Sequence, residues 1–340
     1  MKRRKRMKKT IILTLVLMLV SGMVYPRDVV IKFASVAPEG STWMNIMEDL
    51  NETVKEKTKG KVRFKFYAGS VMGDESDVIK KMRINQVNAA GFTSQGLGEI
   101  VKEVRVLNIP LILRSSKEAD YVLKKMEPYF NKRFREEGYV VLGWPEVGFA
   151  YVFSTEKVDS VESFKKLKMW VWGEDVLVNT LFRNIGVVPV PLSIIDVTQA
   201  LQTGMIEGVY GSPLSALSMQ WHTMVRYMLD KKIAYVPGAA LITKRTWKRM
   251  SDKQRDIVME ESKKDFRKLT KKSRGENEQA MRVMKKQGIK FTEIDDKKDL
   301  EFLREVSNKT AADLTGKYYS KELLDEMKGY IKEFREKKSK

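Results

Sequence analysis

The stretch "KMWVWGEDVLVNTLFRNIGVVPVPLSIIDVTQALQTGMIEGVYG", residues 168–211, decides the fold. KMWVW (168–172) is rich in β-formers and reads as a strand. GEDVLVNTLFRNIG (173–186) has helical spacing of apolar residues and a glycine stop, Gly186. VVPVPL (187–192) is a short strand. SIIDVTQALQTG (193–204) opens on a capping-box-like S-x-x-D and ends on Gly204. MIEGVYG (205–211) is a third strand. This β-α-β-α-β order implies parallel strands with helices packed on the sheet. Within the first strand, Lys168, Trp170 and Trp172 share one face and Met169 and Val171 the other. An aligned pair of indoles fits either ordinary core or the wall of a site.

The same alternation runs earlier in the chain. Strands are expected at DVVIKFASVA (28–37), KVRFKFYAG (61–69), QVNAAGFTS (86–94) and YVVLGWP (139–145). Helices are expected at 39–60, 74–85 and 116–138. KKIAYVPGAALITKRTW (231–247) is extended and would return the chain to this first unit. Residues 251–288 read as one long helix opened by the capping box Ser251 to Gln254. No Pro/Gly/Ser-rich linker separates the units, and no repeat shows at the level of sequence. Two α/β units joined by extended crossings describe a hinged, two-lobed protein, whose inter-lobe cleft is the expected ligand site.

Composition narrows the function. The 340 residues carry a net charge of +20 and no cysteine. That excludes disulfides, thiolate metal sites and a lipoprotein cysteine. The start, MKRRKRMKK then TIILTLVLMLV then SGMVYPRD, has the charged, apolar and small-residue zones of a secretory signal peptide, expected to span residues 1–22. Those residues hold seven basic and no acidic side chains, so removing seven from +20 leaves +13. The remaining bases are interleaved with acids on amphipathic segments, which fits solvated helix faces rather than nucleic-acid binding. His222, in QWHTMVRYM, is the sole histidine and is expected on an amphipathic helix. GDESD (73–77) lacks calcium-loop spacing, and no catalytic or metal motif is present, so neither catalysis nor a cofactor is expected.

Several segments together resemble the solute-binding receptors of TRAP transporters. YAGSVMGDESDVIKKMR (67–83), VRVLNIPLILRSSKEA (104–119), VDSVESFKKLKMWV (158–171) and NIGVVPVPLSIIDVTQALQTGMIEGV (184–209) carry the likeness, the ALQTGMIEG block most specifically. It extends over nearly all of residues 30–290. The resemblance implies an α/β, two-lobed periplasmic binding-protein fold of type II-like form, with hinge strands and a long helix along both lobes. Lobe I would hold residues 28–147 plus about 239–275, and lobe II about 148–238 plus 276–340. A bound solute would pass to TRAP membrane permease subunits, and a periplasmic TPR-repeat protein is a conceivable partner for the basic surface.

The departures from the family pattern bear on the ligand. Trp170 stands where the family has an arginine that clamps a substrate carboxylate, and Trp172 shares its face. Ala150 replaces a second common arginine and Gly211 a common asparagine. Val36 replaces a polar residue, and Ile194 holds the aromatic or apolar position before a helix. Phe92, Thr93, Trp144, Phe149 and Tyr210 add aromatic and mildly polar surface, and Glu75 keeps an acidic character. A hydrogen bond to a charged group contributes about 1.5–3 kcal/mol. An indole offers one N–H and no charge. The implied ligand is therefore a hydrophobic or amphipathic small molecule. The alternatives are a sensory or interaction module without a transported solute and, less well supported, an enzyme on the same scaffold.

Overall fold

The computed structural model describes residues 28–338, so the expected signal peptide lies outside the described residues. The first unit runs β1 (Val29–Ala34), α1 (Thr42–Lys57), β2 (Val62–Tyr67), α2 (Glu75–Arg83), β3 (Ala89–Thr93), α3 (Ser94–Ile100), α4 (Ser116–Glu136) and β4 (Tyr139–Gly143). The second runs β5 (Glu146–Ser154), α5 (Val161–Lys165), β6 (Lys168–Trp172), α6 (Val176–Ile185), β7 (Val188–Leu192), α7 (Val197–Gln202), β8 (Gly208–Gly211) and α8 (Pro213–Ser218). Then follow β9 (Tyr227–Thr243), α9 (Lys244–Trp247), α10 (Asp252–Lys286), β10 (Lys290–Thr292), α11 (Lys297–Leu314) and α12 (Lys321–Lys338).

The two units repeat one topology that their sequences hide. In the first, β1 is parallel to both β2 and β3. In the second, β6 is parallel to both β7 and β8. Each trio has its first strand in the middle, the arrangement expected of right-handed crossovers. Each is then extended by an antiparallel neighbour, β9 beside β3 and β5 beside β8. β9 serves both lobes: Tyr227–Leu229 and Ala234–Pro237 pair with β5, and Gly238–Ile242 pair with β3. The prolines of β7, Pro189 and Pro191, sit on an edge strand, where a missing N–H costs no ladder bond.

Local signals explain most boundaries. Ser41, Ser115 and Ser160 cap α1, α4 and α5, and Ser251 with Gln254 forms the expected capping box of α10. α10 has 35 residues and packs on α1 of the first lobe and α8 of the second. It is about 50 Å long at 1.5 Å per residue. The C-terminal part divides between the lobes. α11 packs on α6, with Asn184 bonded to Thr310 and Asp313. α12 packs instead on α4, where Arg335 meets Glu118.

Two expectations of local structure differ. Trp221–Thr223 is a single 3₁₀ turn rather than an amphipathic helix, because the chain turns directly into β9; His222 there faces the carbonyl of Ala216 at 3.4 Å. Ser193 does not cap a helix: Ile194–Asp196 is a 3₁₀ turn, and the serine hydroxyl is committed elsewhere.

Candidate functional site

A cavity of about 220 Å³ lies between the lobes, at the C-terminal ends of the parallel strands. Ten of the twelve expected residues line it: Val36, Glu75, Phe92, Thr93, Ala150, Trp170, Trp172, Ile194, Tyr210 and Gly211. Trp144 and Phe149 are not among its lining. Trp144 sits after a register shift between Val141 and Gly143 and turns onto α4, against Phe130 and Phe134, donating to Asn131 at 2.9 Å. Phe149 is next to Ala150 on β5, and adjacent strand residues face opposite ways. Ala150 and Val152 take the cavity side; Phe149 packs on Tyr235 under the Lys232 ammonium. Lys168 points to solvent.

The aromatic wall answers the question raised by the two indoles: Trp170 is both core and cavity wall. It is 1% exposed, stacks on Tyr210 at 5.1 Å, and meets Trp172 at 5.8 Å and Trp221 edge-on at 5.3 Å. Its indole N–H is spent on the carbonyl of Leu192 at 3.0 Å. It therefore offers a solute area and no hydrogen bond. Burial pushes the Tyr210 phenol up, so it stays neutral.

Two polar crossings close the lobes over this wall. Asp74, before α2 of the first lobe, accepts from the indole of Trp172 (2.8 Å), the hydroxyl of Ser193 (2.6 Å) and the N–H of Ile194 (3.2 Å), all of the second. Arg105, in the 3₁₀ segment Lys102–Asn108, donates through Nη2 to both oxygens of Asp175 at 2.7 Å. Both side chains are 4% exposed. Asp175 also caps α6 through Val178 N–H. The arginine stem lies against Gly98, where a Cβ would come within 2.5 Å of Cδ.

Arg105 is the residue that sequence reasoning missed. It is the one lysine or arginine lining the cavity among the described residues. The available signal was its setting, VKEVRVLNIP, an arginine in a run of apolar residues. Such a charge enters the interior only when paired.

Glu75 is wholly buried at the cavity edge. Its carboxyl accepts from Thr93 N–H (2.6 Å), Thr93 hydroxyl (3.0 Å) and Gly96 N–H (2.7 Å), tying α2 to the β3–α3 turn. A Cβ on Gly96 would come within 2.7 Å of that carboxylate. Desolvation raises its pKa to about 8 despite these bonds. Two buried polar atoms on lining residues have no partner among the described residues: the donor Trp43 Nε1 and the acceptor Asn108 Oδ1.

The family model for the bacterial extracellular solute-binding proteins of family 7, DctP, matches residues 33–317. A solute-binding protein of Chromohalobacter salexigens is 27% identical over 260 residues, 74% of this chain and 75% of that one. The sialic acid-binding periplasmic protein SiaP of Vibrio cholerae is 23% identical over 272 residues, 77% of this chain and 82% of its own length. Among solved structures, a TRAP periplasmic solute-binding protein of Ralstonia eutropha with bound (S)-2-acetolactate superposes with a TM-score of 0.83 at 19% identity, covering 89% of this chain and 99% of that one.

Proposed function

Given that the chain belongs to family 7 of the extracellular solute-binding proteins, the periplasmic receptors that deliver solute to TRAP permeases, we propose that its cleft captures a small amphipathic or hydrophobic solute without net charge. The observation that carries this reading is the fate of the one cavity lysine or arginine among the described residues: Arg105 already holds a carboxylate, Asp175, through Nη2 to both of its oxygens. At the family's clamp position stands Trp170, whose only donor is used by Leu192. Of the other ionisable lining residues, Asp175 and Glu146 are already paired with Arg105 and Arg274 and Glu75 keeps its proton, so an entering carboxylate would meet no unpaired lysine or arginine in the lining among the described residues. An apolar body instead gains by burying its own surface, on the order of 25 cal/mol per Å², in a lining that includes Trp170, Trp221, Phe92 and Phe182. The unpartnered Trp43 N–H and Asn108 carbonyl suit one carbonyl and one hydroxyl on the solute. The closed volume lies below the roughly 300–1,000 Å³ of common small-molecule sites, so the solute is small.

Binding, rather than catalysis, is the role of this family. The N-terminal segment supports export through a cleaved signal peptide.

A second reading rests on the same arginine. The Vibrio cholerae and Ralstonia eutropha relatives carry acids in their names, and Arg105 would serve an acid if Asp175 gave way. Organic extraction of the folded protein followed by mass spectrometry separates the two. A neutral or weakly polar compound whose re-addition quenches tryptophan fluorescence supports the first reading. A sugar acid or keto acid in the extract overturns it.

A further inference from the structure

We propose that Asp175 is a built-in carboxylate that occupies Arg105 in place of a solute's, and so sets the receptor against anions; the proposal rests on the uncharged-solute reading above. The pair lies in the wall of the cavity rather than away from it. One guanidinium nitrogen, Nη2, reaches both oxygens of the carboxylate at 2.7 Å, a charge-assisted contact of the kind an anionic guest would make. A third donor, Nη1, rests on Ser94 Oγ at 3.3 Å. The carboxylate arrives from the opposite lobe, at the N-terminus of α6, while the guanidinium belongs to the first lobe. Closure therefore delivers this acid to the arginine as it would deliver a bound solute.

The fixed acid has two advantages over a free one. It is held by its own helix, through the Val178 N–H, and so loses little freedom on closing. It is also tethered, so its local concentration exceeds that of any dissolved acid. A competing carboxylate would have to displace it and leave Asp175 desolvated and unpaired. The specificity is thus obtained by repulsion and by prior occupation together.

The test is Asp175→Ser, which keeps a helix-capping oxygen and removes the charge, with Arg105→Leu/Asp175→Ser as its control. Acetate, pyruvate and (S)-2-acetolactate are titrated calorimetrically into each variant and into the wild-type chain. The expected result is at least about a tenfold gain in acid affinity for Asp175→Ser, lost again in the double variant. If Asp175→Ser folds, by circular dichroism, and like the wild type binds none of these acids, the proposal is overturned while the uncharged-solute reading stands. If the wild type already binds an acid as tightly as the variant does, both fail. Should the serine variant not fold, Asp175→Asn, which keeps the shape and loses the charge, is read by the same two criteria.

Discussion

Two of the arginine–carboxylate contacts that join distant parts of this molecule are built differently. At the hinge, Arg274 of α10 holds two acids, Glu146 at 2.7 Å and Asp120 at 2.5–2.8 Å, and Tyr235 donates to the same Glu146. Its side chain is 29% exposed, against 3% for Glu146. In the cleft, Arg105 holds one acid, and both partners are buried. The hinge contact has more anion than it needs and sits where β5, β9 and α10 meet. The cleft contact is one to one and sits where the lobes must part. The first is suited to permanence, the second to exchange. The difference teaches that burial alone does not separate a structural ion pair from a functional one; position relative to the moving surfaces does.

The comparison can be broken by mutation. The largest effect is expected for Arg274→Ala. It leaves Glu146 buried beside a lone tyrosine hydroxyl, and loss of one partner of a buried pair costs roughly 3–5 kcal/mol. Denaturant unfolding measures it. A loss below about 1 kcal/mol would put the hinge contact on the same footing as a surface pair.

Glu75 supplies the missing third case, a buried acid with no arginine. Its pKa rises from 4.5 to about 8. The folded chain therefore keeps a proton that the unfolded chain has released. Stability should fall as pH rises from about 4.5 to about 8, by up to about 5 kcal/mol, and level off above. Melting temperatures across that range in wild type and Glu75→Gln decide the point, since the variant should lose this part of the slope.

Asp74 tests whether closure depends on the cleft contacts. Asp74→Ala removes three acceptor bonds across the lobes and the cap of α2. The expected shift toward the open form is about 2 kcal/mol. Small-angle scattering without solute should show a larger radius, and the Trp172 emission should move to the red. Ser193→Ala removes one of the three bonds and should shift the same equilibrium by about 1 kcal/mol. An Asp74→Ala variant as compact as the wild type would show that Arg105 and Asp175 hold the lobes alone.

Much of the fold was legible because its signals are local. The β-α-β-α-β units announce themselves by strand composition, serine caps and glycine stops such as Gly186, in the left-handed region with φ 93°. What is not local was not legible. The face taken by Phe149 depends on register shifts in the β5–β9 pairing, which are properties of two strands. Ser193 has a capping-box spacing, but Asp74, 119 residues away, takes its hydroxyl. The aromatic wall could be read from one strand and a likeness. The arginine that decides the charge of the cavity sits in a 3₁₀ segment without strong periodicity, and its partner is 70 residues distant.

The double duty of β9 has a consequence for how the chain acquires its shape. Among the described residues β4 finds its only strand neighbour in β9, and β5 and β3 are each flanked by it. Neither sheet is complete until Tyr227–Thr243 has been made. For most of its synthesis the emerging polypeptide has sheet edges with no neighbour to settle on. Completion of both sheets therefore waits on a strand made late in the chain.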